Sequence, residues 1–279
     1  MSEHAQTPIA TLDQPADVPV PLTPDRVFSV LGVRITDVTR RRAVELLEEL
    51  IRRCRDSAVA GDRTGCVYYV NAHTLNLAVA DPQFRDVLNA ADYVFADGTG
   101  VRWAARLQGI RVRENLCGTD LTPEFFHATA GRGYRYFLLG ADRETIRRTA
   151  DYSARTFAGW TQAGLHHGYL ADPAESAEVV RQINQARPDL LLVGMGNPIQ
   201  ERWIHRHRHM LNVPACMAVG GLFDYWTENV SRAPKWLRRL GHEWIWRLGQ
   251  QPCDKAKRYL LGNPLFLAHV LRRWWKDRT

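Results

Sequence analysis

Between residues 66 and 219 the sequence alternates short, uniformly apolar runs with longer amphipathic segments. Five runs carry no polar alternation, which is typical of strands that are buried on both faces. Strands that alternate with helices predict βαβ units, and therefore an α/β fold with a parallel sheet flanked by helices. The predicted strands cover residues 66–71, 93–96, 135–140, 190–194 and 215–219. The predicted helices cover residues 39–54, 84–90, 121–130, 143–157, 177–186 and 199–210.

The composition of the chain changes near Val230. Residues 231–279 contain 12 Lys and Arg against three acidic residues, a net charge of +9, whereas residues 1–230 carry −2. Five of the nine tryptophans also fall in this tail. Basic residues mixed with tryptophan are typical of a helix at an anionic headgroup layer and, less distinctively, of a nucleic-acid patch. We predict a core over residues 25–230 and a helical, basic appendage over residues 231–279.

The start of the chain and its cysteines restrict the cellular compartment in which we expect the protein. Residues 1–24 are polar and contain five prolines, without the apolar stretch of a signal peptide, so we expect a disordered leader. The five cysteines are scattered and form no C-x-x-C pair, which favours a reducing compartment over a disulfide framework. No apolar run approaches the ~20 residues that span a bilayer. We therefore expect a chain that can lie on a membrane without crossing it.

Polar or glycine-bearing residues directly follow each predicted strand. Ligands of a parallel sheet bind beyond the carboxyl ends of its strands, so these junctions predict the binding edge. The junctions are Asn71, Asp97-Gly98, Gly140-Ala141, Gly194-Met195-Gly196 and Gly220-Gly221.

Asp97 opens the segment D-G-T-G, where a predicted strand ends and a helix begins. A carboxylate at the ligand-binding edge can act as a general base. The alternative is that Asp97 only caps the following helix, with the glycines shaping the turn. The segment 117–121 leaves the same choice open, since Thr119 or Asp120 either caps the next helix or contacts a ligand.

The segment G-M-G-N-P-I-Q-E, which starts at Gly194, is another strand-to-helix junction. Its glycines permit close backbone approach, and the helix N-terminus offers free N–H groups to a phosphate. Gln200 and Glu201 lie in the first turn, where they either grip a hydroxylated ligand or, for Glu201, only favour the helix dipole. Ile199 stands where G-x-G-x-x-G needs its third glycine. A nicotinamide-dependent oxidoreductase is therefore disfavoured.

Together these segments resemble the WecG/TagA/CpsF family of glycosyltransferases, glycosyltransferase family 26. The resemblance covers roughly residues 27–264. The matching pieces are Asn71, residues 91–100, Gly118-Thr119-Asp120-Leu121, Gly194 to Glu201, Gly220 to Asp224, Arg232-Ala233-Pro234, Glu243-Trp244 with Arg247-Leu248, and Arg258-Tyr259-Leu260.

The resemblance implies a Rossmann-like catalytic core with an appendage that docks on a membrane. It implies an inverting, metal-independent transfer from a UDP-sugar to a polyprenyl-diphosphate-linked sugar, in bacterial cell-surface or exopolysaccharide biosynthesis. The donors in the family include UDP-N-acetylmannosamine, UDP-N-acetylmannosaminuronate and UDP-glucose. The resemblance also implies that the protein is cytoplasmic and binds peripherally to the inner face of the plasma membrane.

The same resemblance implies roles for individual residues. Asp97 is the base, Asn71 lies in the same pocket, and Arg247 and Arg258 close over the diphosphate. The other candidate substrate-binding residues are Gly98, Thr99, Gly118, Asp120, Gly194, Gly196, Asn197, Gln200, Glu201 and Arg232. The chain departs from the family pattern at Thr227-Glu228-Asn229, where Ala-Gly or Ser-Gly is expected, and at Gln251-Pro252-Cys253-Asp254, where an arginine is missing from E-P-x-R.

Metal ligands find little support in the sequence. Glu201, His205 and His209 share one predicted helix face, but neighbouring arginines repel a cation, so we interpret them as a solvated face; the pair His166-His167 is weaker still. The D-x-D triplet, with which many glycosyltransferases hold a divalent ion, is absent. Arginines, helix dipoles and backbone N–H groups are then expected to offset the leaving-group charge, without a cofactor.

One further class of function remains open. A non-enzymatic membrane- or nucleic-acid-binding adaptor would account for the basic tail, because attraction to phosphate does not depend on sequence. It gives no reason for the ligand-edge segments of the core. We therefore expect a UDP-sugar, the lipid-linked acceptor and an anionic membrane surface as partners, and no nucleic acid, with a homo-oligomer left open.

Overall fold

The protein is described here by a computed structural model. It covers residues 25–56, 64–170, 172–234, 236–237, 243–250, 252, 256–276 and 278. The predicted leader, residues 1–24, lies outside the described residues. So do Gln251, Cys253 and Asp254 of the E-P-x-R departure.

In the described part of the chain, eight strands form one sheet. The strands are β1 (Arg26–Val30), β2 (Val33–Asp37), β3 (Gly65–Val70), β4 (Tyr93–Ala96), β5 (Arg135–Gly140), β6 (Thr161–His166), β7 (Leu190–Gly194) and β8 (Ala215–Ala218). Their spatial order is β1-β2-β4-β3-β8-β7-β5-β6, and every pair is parallel except β1 with β2. The predicted α/β fold is therefore confirmed, and the five predicted strands are β3, β4, β5, β7 and β8.

Helices cover both faces of this sheet. They are α1 (Arg40–Asp56), α2 (Ala72–Ala80), α3 (Pro82–Asn89), α4 (Thr99–Leu107), α5 (Gly118–Ala128), α6 (Arg143–Thr156), α7 (Pro173–Ala186), α8 (Ile199–His207), α9 (Leu222–Trp226), α10 (Glu243–Gln250) and α11 (Gly262–Lys276). A 3-10 turn spans Ala130–Arg132 and a π-helical turn spans Lys257–Leu261.

The sheet separates two apolar cores. Tyr68 and Val70 of β3 face α2, α3, α4, α7, α8 and α11, whereas Val67 and Tyr69 face α1, α5, α6 and α9. Successive side chains of a strand point to opposite faces, so a strand between two helical layers is apolar at every position. This explains the uninterrupted apolar runs.

The sequence prediction missed three strands and shifted some helix ends. β1 and β2 pair at one edge of the sheet and alternate exposed with buried residues, and the half-buried β6 forms the other edge. Edge strands lack the apolar run that marks a doubly buried strand. Helix α2 was also missed, and α7 begins at Pro173 because Asp172 caps it and accepts from the Glu175 N–H. Helix α8 ends at His207.

The appendage packs against the core through α11. Phe266 and Val270 of α11 are buried in the core that also holds α2. Asn76 of α2 donates to the Gly262 carbonyl at 2.7 Å, and Trp274 Nε1 donates to the Leu107 carbonyl at 3.0 Å. Among the described residues, no helix has the length and apolar character needed to cross a bilayer.

Candidate active site

A cleft of about 980 Å³ opens at the carboxyl ends of β3, β4 and β8. One wall consists of the junctions that follow these strands, together with the start of α5 and part of α8. The other wall is formed by the appendage, through α10, the π-helical turn and the start of α11. The position agrees with the rule that parallel sheets bind ligands beyond the carboxyl ends of their strands.

Asp97 lies at the floor of the cleft, directly after β4. Its backbone N–H donates to the Val70 carbonyl at 2.8 Å, which keeps the ends of β3 and β4 together. Gly98 follows with φ of 94°, a conformation in which any other residue is strained, and donates its N–H to Asn115 Oδ1 at 2.6 Å. Gly98, not Asp97, is the N-cap of α4, and no side chain caps this helix. The Asp97 carboxylate is therefore not used as a helix cap and can contact a ligand in the cleft.

The surroundings of Asp97 make it a stronger base than an ordinary aspartate. The carboxylate keeps some exposure to the cleft but is enclosed by protein, and this burial raises its pKa to about 6. Glu243 of α10 raises the pKa further, while a hydrogen bond from Asn71 and the charges of Arg258 and Arg247 oppose the increase. A group with this pKa is still ionised at neutral pH, so it can accept a proton from a hydroxyl.

Asn71 connects the candidate base, Asp97, with the core and the appendage. As the N-cap of α2, its Oδ1 accepts from the N–H groups of His73 at 3.1 Å and Thr74 at 3.2 Å. Arg258 Nη2 reaches the same oxygen at 3.4 Å. The amide nitrogen of Asn71 is left to hold the Asp97 carboxylate.

Two appendage arginines meet on one aromatic ring. The guanidinium carbons of Arg232 and Arg247 lie 5.0 Å and 4.9 Å from the centre of the Tyr225 ring. Arg232 also donates to Asp120 Oδ1 at 2.7 Å and lies 3.4 Å from Glu243 Oε1, which accepts from the Tyr225 hydroxyl at 3.2 Å. This network fixes the appendage arginines beside the start of α5.

Arg258 completes a cluster of three cations with Arg232 and Arg247. Burial lowers the pKa of the Arg258 guanidinium, although an arginine remains charged throughout the physiological range. The Nε atoms of Arg247 and Arg258 are buried without a hydrogen-bond partner, whereas Arg232 Nε lies 3.4 Å from Glu243 Oε1. Buried donors without partners call for an acceptor, and arginine binds phosphate oxygens by charge-assisted hydrogen bonds. The cluster therefore suits a diphosphate.

Of the two roles left open by the sequence, the structure excludes helix capping for Thr119 and Asp120, and contact with a ligand stays a prediction. Cys117 is the N-cap of α5, without a side-chain capping bond. Asp120 instead accepts from Arg232 and, at 3.0 Å, from the Cys117 thiol. It lines the cleft together with Thr119 and holds the appendage in place.

Gln200 ties two strand junctions together. Its Oε1 accepts from the Gly196 N–H at 3.1 Å and from the Gly220 N–H at 3.0 Å. Its Nε2 donates to Glu201 Oε1 at 2.8 Å, and Asn197 donates to the same oxygen. The loops after β7 and β8 are thus held by one buried amide.

Glu201 stands behind the cleft and not in it. Its side chain has no exposed surface, and burial raises its pKa to about 7. A carboxyl without exposure does not touch a ligand, so Glu201 supports Asn197 and Gln200. The solvated face predicted for Glu201, His205 and His209 is therefore wrong at Glu201, and His209 lies beyond the end of α8.

The structure gathers most of the candidate residues around the cleft. Those that line it are Asn71, Asp97, Gly98, Thr99, Gly118, Asp120, Asn197, Gln200, Arg247 and Arg258. Arg232 lies behind Asp120 and Tyr225, whereas Gly194 and Gly196 shape the β7 junction outside the lining. Gly194 packs so closely on Phe223 that an added Cβ would lie 2.7 Å from its ring.

Sequence reasoning missed the roles of Tyr225 and Glu243. Both lie in or beside segments that carried the resemblance, since Tyr225 directly follows G-G-L-F-D and Glu243 opens the E-W pair. Nothing in the sequence pairs them, because their contact joins residues 18 positions apart across the cleft wall.

Known proteins match this chain over most of its length. A profile of the glycosyl transferase WecG/TagA/CpsF family matches residues 28–279. The chain is 33% identical over 210 residues to the N-acetylglucosaminyldiphosphoundecaprenol N-acetyl-beta-D-mannosaminyltransferase of Bacillus subtilis (strain 168), which covers 75% of this chain and 80% of the relative. It is 30% identical over 220 residues to the protein of the same name from Staphylococcus aureus (strain NCTC 8325 / PS 47), which covers 78% and 82%. These matches show that the chain, whose candidate base lies in the cleft described above, belongs to the WecG/TagA/CpsF family of glycosyltransferases.

Proposed function

We propose that the protein transfers a hexosyl or N-acetylhexosaminyl residue from a UDP-sugar to a polyprenyl-diphosphate-linked sugar, with inversion at the anomeric carbon. One observation carries this proposal: an enclosed carboxylate with a raised pKa, Asp97, shares a cleft with the appendage arginines. The names of the relatives support N-acetylglucosaminyl-diphosphoundecaprenol as the acceptor and an N-acetylmannosaminyl donor. UDP-N-acetylmannosaminuronate and UDP-glucose are the alternative donors.

In this mechanism Asp97 takes the proton of the acceptor hydroxyl while that oxygen attacks the anomeric carbon. The bond from the anomeric carbon to the diphosphate oxygen breaks, and UDP leaves with the electron pair. Attack opposite to the leaving group inverts the configuration. General base catalysis of this kind contributes about 10²- to 10⁴-fold to the rate.

The arginine cluster offsets the charge that builds on the departing UDP. The buried Nε donors of Arg247 and Arg258 await acceptors in the described structure and are fixed before the reaction begins. Preorganised donors of this kind stabilise a transition state without reorganisation. We extend the proposal to a reaction without a metal ion, because the arginines already supply the positive charge. Initial rates should then be equal with and without added Mg²⁺ or Mn²⁺.

The proposed acceptor keeps its lipid in the bilayer, and the appendage offers a surface for that arrangement. Eight of its apolar side chains are 38–66% exposed, namely Ile245, Trp246, Leu260, Leu261, Leu265, Leu267, Leu271 and Trp275. Basic residues of α11 accompany them. An apolar and cationic face of this kind binds anionic headgroups. We place the protein on the inner, cytoplasmic face of the plasma membrane.

A transfer assay tests the proposal. Synthetic polyprenyl-diphosphate N-acetylglucosamine is incubated with each UDP-sugar in turn, and both the lengthened lipid product and the released UDP are measured. The proposal expects one equivalent of UDP per sugar transferred, and an inverted anomeric configuration in the product. Failure of every UDP-sugar, with specific stabilisation by NAD(P) or specific DNA binding in its place, would overturn it.

A further inference from the structure

A second group of potential ligands lies outside the cleft, at the edge of the sheet formed by β6. His166 ends β6, His167 follows it, and Glu175 lies in the first turn of α7. One ligand atom from each residue lies within 4.8 Å of the others. A group of this extent could hold one metal ion, and zinc makes bonds of about 2.0–2.2 Å with nitrogen and oxygen.

His166 is oriented as a metal-binding histidine should be. Its Nδ1 lies 2.7 Å from the backbone carbonyl oxygen of His167. A carbonyl accepts only, so Nδ1 carries the proton and Nε2 keeps its lone pair. Histidines that bind metals commonly donate their second ring N–H to a carbonyl or carboxylate in this way.

His167 has a buried nitrogen without a partner. Its side chain is only 9% exposed, and Nδ1 has no hydrogen bond. A buried polar atom of this kind needs an explanation, and a bound ion is one of the few available.

The ligand types identify the class of ion. Two imidazoles and one carboxylate suit zinc, which uses such a set with water in the fourth position, whereas Mg²⁺ and Ca²⁺ prefer oxygen ligands alone. The positive charge of Arg143 disfavours a cation at this place, and the negative charge of the Glu175 carboxylate favours one. We propose that His166, His167 and Glu175 bind one Zn²⁺ ion that joins the end of β6 to the start of α7.

The proposed ion would brace the loop that follows β7. Gly168 donates its N–H to the Ala141 carbonyl at 2.9 Å, and an added Cβ on Gly168 would lie 3.0 Å from Met195 Cγ. The segment 166–168, which holds both proposed histidine ligands, therefore packs directly on the junctions after β5 and β7. None of the three ligands lines the cleft, so the proposal concerns stability and is independent of the transfer reaction.

Zinc binding to the full-length, tag-free protein tests this site. The protein is treated with a chelator, desalted, and titrated with Zn²⁺ in competition with a chromophoric chelator; Co²⁺ replaces Zn²⁺ for absorption spectra. We expect one equivalent of zinc, a higher melting temperature with zinc, and the intense visible bands of tetrahedral Co²⁺. His167→Ala and Glu175→Gln should each weaken zinc binding by about tenfold or more.

His209→Ala is the matched control, because it removes an exposed imidazole elsewhere and should leave zinc affinity unchanged. Circular dichroism checks that each variant is folded, and Glu175→Gln, which keeps the size of the side chain, decides the matter if His167→Ala does not fold. The proposal is overturned by absence of stoichiometric binding. It is equally overturned if zinc binds Glu175→Gln as tightly as the parent, or if His209→Ala loses as much affinity as the ligand variants.

Discussion

The two walls of the cleft are held in place by different kinds of interaction. The core wall is fixed by sheet geometry and buried amides, as at Asp97, whose N–H is bonded to β3, and at Gln200, which joins two junctions. The appendage wall is fixed mainly by charged side chains around Tyr225 and by the packing of Phe266. The core wall therefore holds the candidate base, Asp97, in a fixed position, and the appendage wall contributes the charged side chains around it.

The appendage also changes the electrostatic surroundings of the candidate base, Asp97. The appendage encloses Asp97 and contributes both Glu243, which raises the Asp97 pKa, and Arg247 and Arg258, which lower it. The chemistry of the core is thus adjusted by a segment more than 140 positions away in the sequence. Variants on each wall should separate these contributions.

The largest effect is expected from the core wall. Asp97→Asn removes the base but keeps its shape, so kcat should fall by about 10²- to 10⁴-fold while UDP binding is retained. Transfer kinetics and UDP titration calorimetry measure the two quantities. Asp151→Asn, the same change at an exposed position of α6, should leave both unaltered.

A variant of the appendage wall should affect both binding and catalysis. Arg258→Ala removes a buried cation from the cluster and its bond to Asn71, so we expect kcat to fall by about 10²- to 10³-fold, together with weaker UDP binding. Arg272→Ala removes an exposed charge of α11 as a control. Equal losses in the two variants would mean that overall tail charge, and not a placed donor, governs the rate.

Stability should respond to pH through the carboxyl behind the core wall. The pKa of Glu201 is raised to about 7 in the folded protein, so its stabilising contribution is present at low pH and is lost as pH rises through 7. Glu201→Gln cannot ionise, and its stability relative to the parent should therefore increase by roughly 2 kcal/mol between pH 5 and pH 8. Denaturant unfolding at the two pH values measures this. An unchanged difference would place the Glu201 pKa near its ordinary value.

The smallest effect is expected from the residue through which the appendage adjusts the base. Glu243→Gln removes a negative charge near Asp97, so the pKa of Asp97 should fall and activity should persist to lower pH, by less than about one unit. Glu228→Gln at an exposed position is the control. If the two variants have the same pH profile, Glu243 serves only to hold Arg232 and Tyr225.

The core wall was predictable from the sequence to a greater extent than the appendage wall. The apolar runs of β3 and β4 set where those strands end, and hence brought Asn71 and Asp97 to one edge. By contrast, β1 and β6 escaped prediction because edge strands are only partly apolar. The pairing of Arg232 with Asp120 joins residues 112 positions apart and depends on tertiary packing that no local pattern encodes.

The pH dependence of kcat/KM reports the pKa of the essential base in the free enzyme, and it therefore shows whether Asp97 is that base. We expect kcat/KM of the wild-type protein to fall on the acid side with a midpoint near pH 6, and we expect this limb to be missing from the residual activity of Asp97→Asn. A midpoint near pH 4, or the same limb in the variant, would contradict the assignment of Asp97 as a base enclosed by the appendage.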